Sequence, residues 1–124
     1  MKEKYLHVAV CKYLRYQYVG VLFNSDLAGA TKLTIGQARA MKTLRSNRGW
    51  PDLFIAEPRH GYHGLFVELK ADRVKLYKVK DGSPATPHIA EQADMILELD
   101  KRGYAVGFAV GFDEAKKIID NYLK

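Results

Sequence analysis

The sequence predicts one α/β domain in which a mixed four-stranded sheet is flanked by helices. Apolar residues at helical spacing alternate along the chain with short apolar runs that are typical of strands. The chain has 124 residues, which is the size of a single domain. Neither an internal repeat nor a linker divides it. We therefore treat residues 1–124 as one folded unit.

Helices are predicted from apolar residues at three- and four-residue steps and from the residues that begin and end them. Thr34 and Gln37 form the capping-box pair that starts a helix. Thr86 caps another helix, whose first residue is Pro87 and which Gly103 ends. The four predicted helices cover 3–17, 35–46, 87–102 and, behind the cap residue Asp113, 114–123. On the second helix, the residues expected to face inward are Ala38, Met41 and Leu44.

Strands are predicted where short apolar runs lie between turns that contain glycine or proline. The four runs cover 19–23, 51–57, 65–70 and 104–110. A short turn that includes Gly61 and Gly64 joins the second run to the third, which is the pattern of an antiparallel hairpin. Residues 24–33 and 71–86 are expected to be loops.

Composition and charge narrow the class of protein. Lys and Arg number 20 against 14 Asp and Glu, which gives a net charge of +6 and a pI near 9.4. A pI above about 9 is typical of domains that bind nucleic acid. The hydrophobic content of 48% excludes intrinsic disorder. No apolar run is long enough to cross a membrane, and no signal peptide is evident. The single cysteine, Cys11, excludes an internal disulfide. We therefore expect an intracellular protein with no membrane partner.

Basic residues are concentrated in two stretches of the chain. The first stretch lies between Asp26 and Asp52, where no residue is acidic. The second runs from Lys70 to Lys80, where Asp72 is the only acidic residue. Such clusters are typical of a surface that binds a phosphate backbone, and two solvated faces are the alternative. Contacts to the backbone fix position without reading bases, which suits recognition of shape. The candidate DNA-binding residues are Arg39, Lys42, Arg45, Arg48, Lys75 and Lys78.

Charged residues at one end of the predicted hairpin form the candidate catalytic group. Glu68 and Lys70 stand two apart in the apolar run LFVELK, so both point to the same face of the sheet. Asp52 precedes the facing strand. If the turn centres on Gly61, Asp52 lies opposite Lys70 and diagonal to Glu68. The sequence therefore predicts that two carboxylates and an ammonium group converge.

Two carboxylates and a lysine suit metal-assisted hydrolysis of a phosphodiester. Mg²⁺ prefers hard oxygen ligands and keeps several waters. Asp52 and Glu68 would supply carboxylate ligands, and the backbone carbonyl of Leu69 is expected close to both. A bound cation lowers the pKa of a coordinated water. Lys70 would orient that water and stabilise charge on the phosphate. The alternative is a structural ion pair between Asp52 and Lys70.

Four short motifs follow one another along the chain, at 48–54 (RGWPDLF), 64–70 (GLFVELK), 91–92 (EQ) and 103–104 (GY). This combination resembles the VRR-NUC family of the PD-(D/E)xK nuclease superfamily, most closely its short stand-alone members from bacteriophages and prophages. The resemblance implies a restriction-endonuclease-like core, dependence on Mg²⁺ or Mn²⁺, and cleavage of DNA. It also implies a preference for branched DNA such as four-way (Holliday) junctions, a homodimer, and a phage- or prophage-encoded protein in the cytoplasm of a bacterial host.

The resemblance assigns further residues to the site. It gives the two carboxylates and the lysine the roles described above, and it adds Gln92 of the following helix as a residue that lines the site. The family also carries a glutamate on its first helix, often followed four residues later by glutamine. Glu3 fits the glutamate, whereas His7 stands in place of the glutamine. The residues alone leave Gln92 an ordinary surface glutamine and Glu3 a solvent-facing residue near the terminus.

The expected function is that of a metal-dependent DNA endonuclease that selects DNA by its structure. One alternative is a DNA-binding module that keeps the fold without cutting. The intact set of two acids and a lysine argues against it, because a degenerate site would have lost one of the three. A nuclease acting on RNA or on free ends is the other alternative. No residue separates it from the first interpretation, because the phosphodiester chemistry is the same.

Overall fold

The computed structural model describes residues 1–27 and 32–124. Within them, helices and strands follow one another in the predicted order, and the α/β fold class is confirmed. The elements are α1 (Glu3–Gln17), β1 (Phe23–Ser25), α2 (Ile35–Leu44), β2 (Leu53–Ile55), β3 (Leu65–Lys70), α3 (Pro87–Lys101), β4 (Ala105–Val110) and α4 (Phe112–Leu123). The predicted loop at 24–33 includes residues 28–31, which lie outside the described residues.

The four strands form one mixed sheet in the order β1-β2-β3-β4. β2 pairs with β1 and with β3 in antiparallel fashion, so the predicted hairpin is present. β3 and β4 are parallel. Parallel neighbours need a crossover connection, and α3 lies in that connection. β3 is therefore a central strand with a partner on each side.

One face of the sheet packs against α1 and α4 to form the core. Its strand residues include Leu53, Ile55, Val67 and Leu69, and its helix residues include Leu6, Val10, Leu14, Ala115 and Ile119. Successive side chains of a strand point to opposite faces. Phe66 and Glu68 therefore point to the other face, where α3 packs and where the Gln92 side chain meets Glu68. The charged residues of β3 thus lie beneath α3.

The register of the hairpin differs from the predicted one by two residues. Leu53 pairs with Val67, and continuing this register puts Asp52 opposite Glu68 rather than Lys70. The turn is formed by His60 and Gly61, both with positive φ. Arg59 and Tyr62 pair across this turn. Between that pair and the β2–β3 ladder lie three residues on the β2 side, 56–58, but only two on the β3 side, 63–64. The turn centres between His60 and Gly61 instead of on Gly61, which moves the pairing by one residue, and the extra residue on the β2 side moves it by one more.

Two elements near α2 also differ from prediction. β1 is Phe23–Ser25 rather than 19–23, because these residues are the ones that pair with β2. α2 begins at Ile35 with the predicted capping box, but it ends at Leu44 instead of Ser46 and buries no residue. Leu44 is 77% exposed, so the prediction that it faces inward is wrong. Helical spacing identified the helix, but α2 does not pack against the hydrophobic core and none of its residues is buried.

The start of α4 differs in its cap. Asp113 was expected at the cap, whereas Gly111 occupies that position without a side-chain hydrogen bond. The Glu114 carboxylate accepts a hydrogen bond from the Val110 amide instead, at 2.9 Å. Gly111 has φ +86°, and a Cβ there would lie 2.5 Å from a carboxylate oxygen of Asp72. The tight β4–α4 connection therefore requires glycine.

A cluster around Asp120 fastens α1 and its C-terminal turn to α4. The hydroxyls of Tyr13 and Tyr18 donate to Asp120 Oδ1 at 2.6 and 2.5 Å, and Lys116 Nζ donates to Oδ2 at 2.9 Å. Burial alone would raise the pKa of Asp120. The two hydroxyls and the ammonium group outweigh that effect and hold its pKa well below the ordinary value. The ionised carboxylate is thus the form that the fold stabilises.

We expect Asp120→Asn to lower the free energy of unfolding at pH 7 by about 1–3 kcal/mol, because hydrogen bonds to a charged group are lost. A carboxyl group whose pKa is depressed by folding stabilises the protein above its unfolded pKa, and this contribution is lost as pH falls. The difference between wild type and variant should therefore shrink between pH 5 and pH 2. Chemical denaturation across this range measures it. The exposed Asp94→Asn is the control, and a difference independent of pH would contradict the assignment.

Candidate active site

Three acidic side chains from three elements meet at one end of the sheet. Glu3 lies in the first turn of α1, Asp52 directly precedes β2, and Glu68 is in β3. One carboxylate oxygen from each lies within 4.8 Å of the other two. They line a cavity of about 200 Å³ together with Lys70 and other residues, including Gln92, Trp50 and His88. The structure therefore brings Glu3 to the pair predicted from the hairpin.

Glu68 is the buried centre of this group. It is 4% exposed, and its Oε1 accepts a hydrogen bond from Gln92 Nε2 at 2.8 Å. Lys70 Nζ lies 3.7 Å from the same oxygen. Burial first, and then the negative charge of Asp52, raise the pKa of Glu68 to about 9, although Lys70 opposes this shift. The Lys70 ammonium group therefore does not offset the combined effect of burial and Asp52 on Glu68.

Asp52 is held by contacts to both of its carboxylate oxygens. Oδ1 accepts a hydrogen bond from the Leu69 amide at 2.9 Å. Oδ2 lies 3.1 Å from Nε2 of His7, which is buried. The Asp52 backbone carbonyl accepts a hydrogen bond from the Asp26 amide at 2.7 Å. Contacts to both oxygens thus set the orientation of the Asp52 carboxylate. Sequence reasoning left His7 without a role, and its place four residues after Glu3 was the only signal for it.

The site gathers the buried polar atoms that have no hydrogen-bond partner within the described part of the chain. They are His7 Nε2, Trp50 Nε1, Glu68 Oε2 and Gln92 Oε1. A native protein holds few such atoms, and an ion or ordered water is a common reason for them. Glu68 Oε2 is a carboxylate oxygen in a group of three acids, which is the donor set that a hard divalent cation prefers. The residues present therefore fit a divalent metal ion.

A basic cleft adjoins the acidic cavity. It has a volume of about 490 Å³ and includes Lys42, Arg45 and Arg48 among its lining residues. Gly49 and His88, with Arg45, line both spaces. Arg45 pairs with Asp26, and Arg48 Nη1 lies 3.7 Å from Glu91. The structure thus brings three of the six predicted DNA-binding residues together. The other three, Arg39, Lys75 and Lys78, are exposed and do not line this cleft.

Gly49 sets the distance between the segment that precedes β2 and α3. Its φ is +82°, and a Cβ there would lie 2.5 Å from the backbone oxygen of Glu91. The next residue, Trp50, packs edge-on against Phe66 with 6.0 Å between ring centroids. This close approach brings the chain that carries Asp52 against the helix that carries Gln92.

Comparison with solved structures gives a match over nearly the whole chain. A protein described as "VRR_NUC domain protein" matches with a TM-score of 0.70 and 26% sequence identity, covering 99% of this chain and 88% of that one. A second structure, described as "VRR_NUC domain", has a TM-score of 0.48 and 24% identity, covering 94% and 97% of the two chains. No family model matches the sequence, and no curated protein matches it.

The fold and the first of these matches define a nuclease-family α/β fold. This structural likeness supports an assignment of the chain to the VRR-NUC family. The family resemblance carried by the sequence motifs is thereby confirmed. Among the described residues, no helix is long and apolar enough to cross a membrane.

We expect Gly49→Ala to destabilise the fold by about 1–3 kcal/mol, because alanine is strained at a positive φ, and its Cβ would also press on the backbone of α3. Gly36→Ala is the matched control, since Gly36 lies in α2 with nothing within 4 Å of an added Cβ. Alanine favours a helix over glycine, so this control should be neutral or stabilising. Denaturant midpoints measure both changes. Equal stability of Gly49→Ala and wild type would show that the close approach is unimportant.

Proposed function

We propose that this chain is a metal-dependent DNA endonuclease that hydrolyses phosphodiester bonds, with a preference for branched DNA such as four-way junctions. The observation that carries the proposal is the convergence of Glu3, Asp52 and Glu68 within 4.8 Å of one another beside Lys70. The structural likeness to a VRR_NUC domain protein supports nuclease activity in general.

The metal would be held by the carboxylates of Glu3, Asp52 and Glu68. Mg²⁺ and Mn²⁺ both suit an oxygen donor set. The backbone carbonyl of Leu69 remains a further predicted ligand, and its amide already fixes Asp52. When bound, such a cation polarises the phosphate and lowers the pKa of a coordinated water. Its positive charge would also offset the repulsion that raises the pKa of Glu68.

Lys70 and Gln92 act on this centre from two sides. Lys70 is buried, and its ammonium nitrogen lies 3.7 Å from Glu68 Oε1. In that place it orients the attacking water and stabilises negative charge that develops on the phosphate. Gln92 donates to Glu68 Oε1 and so fixes the carboxylate. Its own Oε1 is left to accept a hydrogen bond from a water in the cavity.

The basic cleft would bind the DNA strand beside the cut bond. Lys42 and Arg48 are exposed there, and cationic side chains along a cleft attract a phosphate backbone. We extend the DNA-binding surface to the exposed side chains of Arg39, Lys75 and Lys78. A preference for branched DNA, a homodimer and a phage- or prophage-encoded origin in a bacterial cytoplasm complete the proposal, and they rest on the family resemblance.

Glu68→Gln and Lys70→Ala should each lower cleavage by about 100-fold or more, because each removes a group that stabilises charge at the reacting phosphate or its metal. The assay follows labelled four-way junction, flap, linear duplex and single-stranded DNA, with Mg²⁺, Mn²⁺ or EDTA. Wild-type protein should cut one of the branched structures only when metal is present. Glu98→Gln, an acid on α3 outside the cavity, is the control and should cut normally.

The same assay separates the alternatives. Cleavage that persists in Glu68→Gln would overturn the site assignment. Junction binding without cutting under every metal condition would identify a non-catalytic DNA-binding module. A matched RNA substrate and a closed circular DNA complete the set. Cleavage of RNA alone, or a requirement for a free end, would replace DNA endonuclease activity with one of the other nuclease activities.

DNA binding should depend on the cationic residues of the basic cleft. The double variant Lys42→Ala with Arg48→Ala should weaken junction binding and reduce the slope of log K against log salt by about 1 for each lost phosphate contact. Fluorescence anisotropy in EDTA, over a series of salt concentrations, measures both quantities without cleavage. Lys117→Ala, an exposed lysine on α4 across the sheet, is the control. An unchanged slope in the double variant would remove the cleft from the DNA-binding surface.

A further inference from the structure

We infer that His7 is a positioning residue, which holds the Asp52 carboxylate in the orientation that binds the metal and is itself held by Ser25. This inference rests on the proposed metal site. It goes beyond the proposed function because it adds a buried histidine of α1 and a half-buried serine of β1 to the machinery of the site.

The geometry joins three elements in one short chain of contacts. His7 Nδ1 lies 2.6 Å from the hydroxyl oxygen of Ser25 in β1. Its Nε2 lies 3.1 Å from Oδ2 of Asp52, and the histidine side chain is 3% exposed. The imidazole is therefore enclosed, with one nitrogen toward β1 and the other toward the acidic cavity. An exposed histidine at this position would make neither contact.

The Asp52 carboxylate favours one tautomer of His7, because an acceptor nitrogen at Nε2 would face a carboxylate oxygen. A neutral imidazole has one N–H donor and one acceptor nitrogen. If the Ser25 hydroxyl donates to Nδ1, the hydrogen stands on Nε2 and faces the Asp52 carboxylate. The Nε2–Oδ2 contact is short but lacks the alignment of a hydrogen bond. His7 thus acts on Asp52 by its positive N–H end and by its fixed place against Oδ2.

Asp52 needs this second support because its carboxylate is otherwise held on one side. The Leu69 amide donates to Oδ1, which leaves rotation about the side-chain bonds free to move Oδ2. With His7 against Oδ2, both oxygens are restrained. Loss of a residue that orients a metal ligand typically lowers metal affinity by about 10- to 100-fold. The same range is the effect expected here.

The variants separate positioning from packing. His7→Leu replaces the imidazole with an apolar side chain of comparable bulk and so removes both polar contacts. His7→Gln keeps a donor and an acceptor on one side chain. Ser25→Ala removes only the hydroxyl that holds Nδ1. If His7 served only to fill space, His7→Leu would bind metal as well as wild type does, whereas a positioning role requires that His7→Gln restore what His7→Leu loses.

Manganese binding can be read without any cleavage. Trp50 is the chain's single tryptophan and lines the acidic cavity, so its fluorescence reports on Mn²⁺ in a titration of the intact protein without DNA. We expect His7→Leu to weaken Mn²⁺ binding by about 10- to 100-fold, Ser25→Ala to weaken it less, and His7→Gln to remain close to wild type. Glu68→Gln is the reference for loss of a ligand, and circular dichroism checks that each variant is folded.

The outcomes distinguish the inference from the function on which it rests. If wild-type protein and Glu68→Gln bind Mn²⁺ equally, or neither binds it, the metal site itself is wrong and the inference falls with it. If Glu68→Gln loses affinity while His7→Leu does not, only the role of His7 is overturned. Equal losses in His7→Gln and His7→Leu would also overturn it. Should His7→Leu fail to fold, Ser25→Ala decides, and unchanged affinity in that variant refutes the positioning role.

Discussion

The repulsion among three carboxylates is the constraint around which this structure is organised. Glu3, Asp52 and Glu68 bring oxygens within 4.8 Å of one another, and Glu68 is buried besides. Burial and the neighbouring charge of Asp52 both disfavour the ionised form of Glu68, so an ionised Glu68 opposes folding. The acids can be held together only because each belongs to an element that the hydrophobic core fixes independently of the site. One face of the sheet therefore supplies the hydrophobic core that stabilises the fold, and the other face carries the charged residues of β3.

The elements that carry the site residues are each held in place by contacts elsewhere in the fold. Leu6, Val10 and Leu14 bury one stripe of α1, and the Asp120 cluster ties the end of that helix to α4. The first turn of α1 is thus held where Glu3 reaches the cavity. Hairpin register sets Asp52 against Glu68, while the close approach at Gly49 brings in Gln92 from α3. The geometry of the acidic site is in this sense assembled from contacts that lie outside it.

Much of this arrangement could be predicted from the sequence, and the failures have local causes. The apolar run LFVELK and the caps at Thr34 and Thr86 gave β3, α2 and α3 at their observed starts, because these signals act within a few residues. The hairpin register was wrong, because the turn centres just before Gly61 and one extra residue on the β2 side moves every pairing by one more. His7 was noticed after Glu3 but was given no role, because its contacts are with Ser25 and Asp52, which only the folded chain brings near.

The register also bears on the two interpretations of the charged residues. A structural ion pair at the end of the sheet would need Asp52 opposite Lys70, whereas Lys70 lies beside Glu68 at 3.7 Å. One ammonium group then faces three acids, and Glu68 Oε2 keeps no hydrogen-bond partner within the described residues. A buried pair that served stability alone would be expected to satisfy its oxygens. An acidic excess with an open carboxylate oxygen is instead the arrangement that a divalent cation completes.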